Sequence, residues 1–133
     1  MNYDSREMSS LVYHNLSESR KQASSPSDQK EQKSQAVELY SYVSTWGLLR
    51  LKAEEFALSA SQKNKRDIVQ CFFKTLSELI QDPDFLVGKL GLQRLSDRQN
   101  LSASEYLGLT GVALQLAHEF AFWAEAIYPK EKK

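Results

Sequence analysis

The sequence has little of what usually carries chemistry or drives binding. It contains one cysteine and two histidines, and its 17 Asp and Glu residues balance 17 Lys and Arg residues. A single cysteine excludes a disulfide within the chain, and zero net charge gives no overall attraction to nucleic acid or an anionic membrane. No apolar run approaches the ~20 residues of a membrane-spanning helix, and the N-terminus lacks a signal-peptide core. We therefore expect a cytoplasmic protein without membrane contact.

Catalytic and metal-ligating motifs are also absent from the sequence. There is no H-x-x-x-H, H-x-x-E or C-x-x-C spacing and no glycine-rich phosphate loop. His118 and Glu119 are neighbours, but they point about 100° apart on a helix and do not form a dyad. Cys71 lies beside two phenylalanines, a context typical of a small buried hydrophobic residue. We expect a protein that is not an enzyme and holds no metal or cofactor.

The strongest structural pattern lies at residues 102–129. Ser102 and Glu105 have the spacing of a capping box, which marks a helix start, and Pro129 cannot continue a helix. Between them, apolar residues recur at alternating spacings of three and four: Tyr106, Leu109, Ala113, Leu116, Phe120, Trp123 and Ile127. Such a stripe predicts a helix that packs lengthwise on other helices.

Three further helices are predicted from similar stripes. They cover residues 34–60, 65–81 with Asn64 as N-cap, and 83–95 with Pro83 at the first position. No segment shows the alternation of a strand. The sequence therefore predicts an all-α four-helix bundle in a single domain, residues 34–133. Trp46 and Trp123 lie on the stripes, so both are expected in the core.

The first 33 residues differ from the rest. Residues 18–33, ESRKQASSPSDQKEQK, contain one alanine as their only apolar side chain. Burial there cannot offset an ordering cost of ~1–2 kcal/mol per residue, so we predict a flexible tail or linker over residues 1–33. Four apolar residues before it could form a short helix that folds on a partner: Met8, Leu11, Val12 and Leu16.

A basic cluster at the start of the second predicted helix is the first candidate binding site. Lys63, Lys65 and Arg66 place positive charge where it opposes the helix macrodipole, at ~0.3–1 kcal/mol each. Free amides at a helix start favour anions, so the cluster is a candidate contact for nucleic-acid phosphates. The alternative is a solvated polar segment partly neutralised by Asp67.

A second basic set follows on the third predicted helix and its exit. It consists of Lys89, Arg94 and Arg98. Lys89 and Arg94 do not share one helical face by simple spacing, so this set is the weaker of the two. We include all three as candidate nucleic-acid contacts.

The last helix carries a resemblance to a known family. Its residues follow a defined order. A tyrosine comes first, then a Leu-Thr pair, then alternating leucine and alanine, and finally an aromatic-rich end that finishes with alanine. The matching residues are Tyr106, Leu109-Thr110, Leu114, Leu116-Ala117, Phe120 and Ala124-Glu125-Ala126. This helix resembles the C-terminal helix of the small subunit of type III CRISPR effector complexes, especially the Cmr type. The family's central motif, a proline-containing helix before a Gly-Leu and an aliphatic-Phe segment, has only Gly91-Leu92 as a counterpart here.

The resemblance implies a non-catalytic protein whose copies stack along the effector complex beside the guide RNA–target duplex. Its partners would be other effector subunits and the RNA backbone, which basic residues would contact. Two other hypotheses stay open. One is a helical adaptor that docks its tail on a protein and binds no nucleic acid. The other is an enzyme, which would need a pocket that places His118 beside a carboxylate and a hydroxyl.

Overall fold

The computed structural model describes residues 5–130, and all regular elements in that range are helical. In chain order they are α1 (Ser5–Lys21), α2 (Pro26–Trp46), α3 (Leu48–Ala57), a short 3-10 helix (Ala60–Gln62), α4 (Lys63–Leu79), α5 (Gly88–Ser96) and α6 (Ala103–Ile127). The all-α prediction is confirmed, with six α-helices in the described range where the sequence predicts four. None of these helices is both long and apolar enough to span a bilayer.

Four long helices build the core. α2 lies along α6, α1 packs against α4 and α6, and α4 also contacts α2, while the short α3 packs against both α4 and α5. At the centre, the rings of Phe72 and Phe73 on α4 meet edge to face with centroids 5.5 Å apart. Phe72 also meets Phe120 of α6 at 5.4 Å. All three side chains are fully buried, so these rings join α4 to α6.

The predicted last helix matches α6 closely. Its capping box is formed in both directions, because the Glu105 amide donates to Ser102 Oγ at 3.2 Å and the Ser102 amide donates to Glu105 Oε1 at 3.0 Å. The middle of the apolar stripe is buried, whereas Tyr106, Trp123 and Ile127 at its ends are partly buried. The period and both end signals therefore predict this element correctly.

The N-terminal segment differs from its prediction as a flexible tail. Met8, Val12 and Leu16 of α1 are buried in the same core as α4 and α6. The buried Asn15 amide of α1 also donates to Thr75 Oγ1 at 2.9 Å and to Glu78 Oε1 at 2.7 Å. Because α1 buries its apolar face on the chain itself, it needs no partner to order it. Residues 1–4 lie outside the described range.

The predicted linker over residues 18–33 is likewise mostly helical. Ser25 caps α2, since its Oγ accepts the Asp28 amide at 3.1 Å, and Pro26 takes the first helical position. Only residues 22–25 between α1 and α2 lack helical structure. Gln32 is fully buried and accepts the Tyr128 hydroxyl at 2.5 Å. The expected domain boundary at residue 33 thus falls inside α2. The side chain buried near that boundary is the polar Gln32, so the pattern of apolar residues did not indicate burial there.

The predicted helix over residues 34–60 is divided at Gly47. Its φ is +87°, a conformation that side-chain-bearing residues rarely adopt. The break leaves Trp46, at the end of α2, 53% exposed rather than in the core. On the other side of the break, the Leu49 amide donates to the Tyr106 hydroxyl at 3.0 Å. Tyr106 thereby ties the start of α3 to the start of α6.

The third predicted helix begins five residues late. Residues 83–87 form turns, and α5 runs only from Gly88 to Ser96. The Leu86 amide donates to Ser77 Oγ of α4 at 3.0 Å, which fixes the turn against α4. A Cβ at Gly91 would lie 2.3 Å from the Leu86 carbonyl oxygen, so only glycine allows this close approach.

Candidate nucleic-acid interface

The basic cluster begins with Lys63, the first residue of α4. Its ammonium lies 2.8 Å from Asp67 Oδ2, one helical turn further along. The pair is largely exposed on the lysine side, where such contacts contribute only ~0.3–0.5 kcal/mol. Asp67 nevertheless neutralises Lys63 locally, as the solvated-segment hypothesis expects. Lys63 is therefore a weak candidate for a phosphate contact.

Arg66 is directed towards the preceding helix. Its guanidinium donates to the Leu58 carbonyl, and Leu58 is the C-cap residue of α3. A cation at a helix C-terminus satisfies a free carbonyl and interacts favourably with the dipole of that helix. The positive charge of Arg66 is unfavourable at the N-terminus of α4, but it interacts favourably with the C-terminus of α3. This internal role removes the argument that Arg66 needs an external anion.

The start of α4 next to Lys65 has no side-chain cap of its own, because its N-cap residue, Gln62, forms no capping hydrogen bond there. The 3-10 helix leads directly into α4, and Ser59 and Gln62 form a capping box at its start. Asn64, predicted as the N-cap, instead lies in the first turn of α4 and donates to Asp28 Oδ1 at 2.9 Å. That bond, with those from Ser24 and Ser25, lowers the pKa of Asp28. Lys65 itself forms no hydrogen bond or ion pair within residues 5–130.

In the second basic set, Arg94 is also used internally. Its Nη1 donates to the carbonyls of Asp84 at 3.1 Å and Phe85 at 2.9 Å, and its guanidinium lies 5.0 Å from the Phe85 ring centroid. Arg94 therefore closes the turn that precedes α5. Lys89 and Arg98 are exposed and unpaired in the described part of the chain.

Three of the six candidate cations thus remain available: Lys65, Lys89 and Arg98. Lys65 lies in the first turn of α4, Lys89 near the start of α5, and Arg98 after the end of α5. The predicted cluster of three adjacent cations is reduced to one free lysine, since Lys63 and Arg66 have partners on the chain. The available positive charge is spread over three segments.

The sequence prediction missed a buried ion pair on α3. Lys52 Nζ lies 2.8 Å from Glu55 Oε1, and the two side chains are 1% and 3% exposed. The pair lines a cleft of about 420 Å³ together with Asn15 and Cys71. Burial raises the pKa of the Cys71 thiol, in keeping with a small hydrophobic residue. The i,i+3 spacing of Lys52 and Glu55 is common on exposed helices, so it gave no sign of burial.

Exposed aromatic rings are a second feature that the sequence did not predict. Trp46 is half exposed, and the Arg50 guanidinium lies 4.1 Å from its ring centroid. Tyr13 of α1 and Phe122 of α6 are exposed on either side of Trp123. His118 is exposed and stacks on Tyr40 with centroids 3.9 Å apart. Among residues 5–130, no three His, Cys, Asp or Glu side chains are placed to hold a metal ion.

Comparisons with protein-family models, with curated proteins and with solved structures give no match to this chain.

Proposed function

We propose that this chain is a non-catalytic helical small subunit of an RNA-guided type III CRISPR effector complex, located in the cytoplasm. One observation supports the proposal: half of the α6 residues that resemble the family lie on the buried face of that helix, whereas Glu125 and Ala126 at the end of the pattern are exposed. Leu116, Ala117 and Phe120 are all fully buried. The resemblance therefore includes residues that determine how α6 packs against the other helices.

Tyr106 adds to this support. It opens the family-like pattern, and its hydroxyl accepts the Leu49 amide at the start of α3. The N-cap of α3 is Gly47, which offers no side chain of its own to accept an amide. A tyrosine at this position therefore has a specific role in joining two helices.

In this proposal the chain contacts the phosphate backbone of the guide–target duplex through Lys65, Lys89 and Arg98. These are the candidate cations whose side chains form no hydrogen bond or ion pair within the described residues. Other effector subunits, and further copies of the chain, would be its protein partners. Lys63, Arg66 and Arg94 would contribute through the fold rather than by binding RNA.

Duplex RNA binding at several salt concentrations tests the proposed surface. Replacing Lys65, Lys89 and Arg98 with glutamine should weaken binding and reduce the salt slope by up to about three phosphate contacts. A matched control replaces Arg50, Lys74 and Lys130, which are exposed, and removes the same charge. The control should bind as the parent does. Equal losses in both variants would mean that only net charge matters and would contradict the proposed surface.

A helical adaptor without a nucleic-acid role is the second candidate. The exposure of large apolar side chains favours it, because protein interfaces are enriched in such residues. Those outside the α1–α6 contact include Trp46, Phe56, Leu90 and Leu107. If the parent protein binds duplex RNA at no salt concentration, this adaptor function takes precedence.

A further inference from the structure

An exposed aromatic cluster lies where α1 meets α6. The ring centroids of Tyr13 and Trp123 are 5.3 Å apart at an interplanar angle of 67°, and those of Phe122 and Trp123 are 5.3 Å apart at 88°. Tyr13 is 54% and Phe122 62% exposed. Each of these two rings contacts only Trp123 among the aromatic residues described, and more than half of each side chain is exposed to solvent. A shallow groove of about 420 Å³, lined also by Arg6, Ser9 and Ser10, adjoins the cluster.

Basic residues flank this cluster along α1. Arg6, Tyr13 and Arg20 recur at intervals of one heptad, so the three lie along one face of the helix. At 1.5 Å per residue, the two arginines are about 21 Å apart with the tyrosine midway between them. Tyr13 also borders a second groove, which Arg20 and Lys21 line. The exposed Tyr13 ring thus lies one heptad from an arginine in each direction along α1.

We infer that this α1–α6 surface binds single-stranded nucleic acid. Unpaired bases would stack on Tyr13 and Phe122 beside Trp123, while Arg20 contacts an adjacent phosphate. Aromatic rings combined with a positively charged track are the usual means by which proteins hold single strands. A duplex is excluded from this mode because its bases are already stacked and paired. The surface shares no residue with the duplex-contacting cations proposed above and does not rest on the CRISPR assignment.

The test uses the fluorescence of Trp123. Replacing Trp46 with phenylalanine leaves Trp123 as the sole tryptophan, and the exposure of Trp46 means that the fold should tolerate the change. The variant is titrated with a short oligouridylate, with an abasic ribose-phosphate chain of equal length, and with duplex RNA. The oligouridylate should quench the fluorescence, and the abasic chain and duplex should bind at least about tenfold more weakly to this surface.

Two further variants test whether binding depends on the aromatic rings themselves. Tyr13→Ala with Phe122→Ala should weaken oligouridylate binding by about tenfold or more. Leu90→Ala with Leu107→Ala removes two exposed apolar residues outside the cluster and should leave binding unchanged. The Lys65, Lys89 and Arg98 glutamine variant should also bind the oligouridylate normally, which separates this inference from the proposed function. Equal affinity for the abasic chain, or an unaffected ring variant, would overturn the inference. Absence of quenching by any strand would do the same and leave the cluster to a protein partner.

Discussion

The ammonium of Lys52 and the carboxylate of Glu55 form a 2.8 Å ion pair that is almost completely removed from solvent. The same ammonium lies 4.8 Å from the centroid of the Phe73 ring on α4. Removing two charges from water costs several kcal/mol per ion, which their mutual attraction offsets only when the geometry is good. The pair fixes how α3 packs against α4, because neither charge can be buried without the other.

Breaking this pair from one side should be strongly destabilising. Lys52→Met leaves the Glu55 carboxylate buried without its partner, and we expect a loss of ~3–5 kcal/mol in the free energy of unfolding. Combining Lys52→Met with Glu55→Leu removes both charges and should recover most of that loss. Urea denaturation of the two single variants and the double variant measures the coupling. Additive effects of the two changes would mean that the residues do not act as a buried pair.

Phe120 and Trp123 should respond differently to substitution, although both lie on the predicted stripe. Phe120 is fully buried, so Phe120→Ala should cost ~3–5 kcal/mol. The buried indole nitrogen of Trp123 has no hydrogen-bond partner within the described residues. Trp123→Phe removes that unsatisfied donor and should change stability by less than ~1 kcal/mol. Thermal and urea denaturation give both values, and a loss for Trp123→Phe as large as that for Phe120→Ala would point to a partner for the indole.

Substituting Arg66 and Lys65 one at a time should distinguish a cation that stabilises the fold from a cation that is available for binding. Arg66→Gln removes a charge-assisted hydrogen bond to the C-cap carbonyl of α3, so we expect a loss of ~1–2 kcal/mol in stability. Lys65→Gln breaks no contact in the described structure and should be close to neutral. The sequence alone predicts unchanged or slightly higher stability when the whole cluster is neutralised. A stable Arg66→Gln variant would support that earlier expectation against the structural role.

The packing of α1 can be tested at one buried residue. Leu16 is fully buried in the common core, so Leu16→Ala should destabilise the whole protein by ~2–5 kcal/mol. A loosely attached tail would give almost no change. Limited proteolysis with trypsin adds an independent measurement, because early cleavage in this region should be confined to the bond after Lys21, at the edge of the short turn at residues 22–25. Rapid cleavage throughout residues 22–33 would show that the start of α2 is not folded in solution.

The sequence predicted those elements whose signals are apolar and periodic. The stripe and capping box of α6 gave its position to within a residue at its start, and the dense apolar face of α4 gave that helix. The start of α2 was missed because Gln32 is buried by a hydrogen bond to Tyr128, a contact 96 residues away that no local pattern contains. Ser25 and Pro26 did carry a helix-start signal there.

The candidate site was harder to predict than the fold. The sequence showed where the cationic residues lie, but not which of them already form hydrogen bonds or ion pairs within the chain. Arg66 is taken by a carbonyl of the preceding helix, and Arg94 by two carbonyls of the turn before α5. The exposed ring of Tyr13 depends on how α1 meets α6, which follows from tertiary packing alone. Exposure and side-chain partners are properties of the fold, so residue spacing could not supply them.

The most direct test of the proposed function is the composition of the native complex that contains this chain. The tagged full-length protein would be purified from the cells that produce it, and its associated proteins and RNA would be identified by mass spectrometry and RNA sequencing. The proposal predicts a ribonucleoprotein with short guide RNAs, the large effector subunits and several copies of this chain. Nuclease treatment should release the chain from that assembly or weaken its association. Purification with a protein partner alone, without guide RNA and without sensitivity to nuclease, would contradict the proposal and favour the helical adaptor.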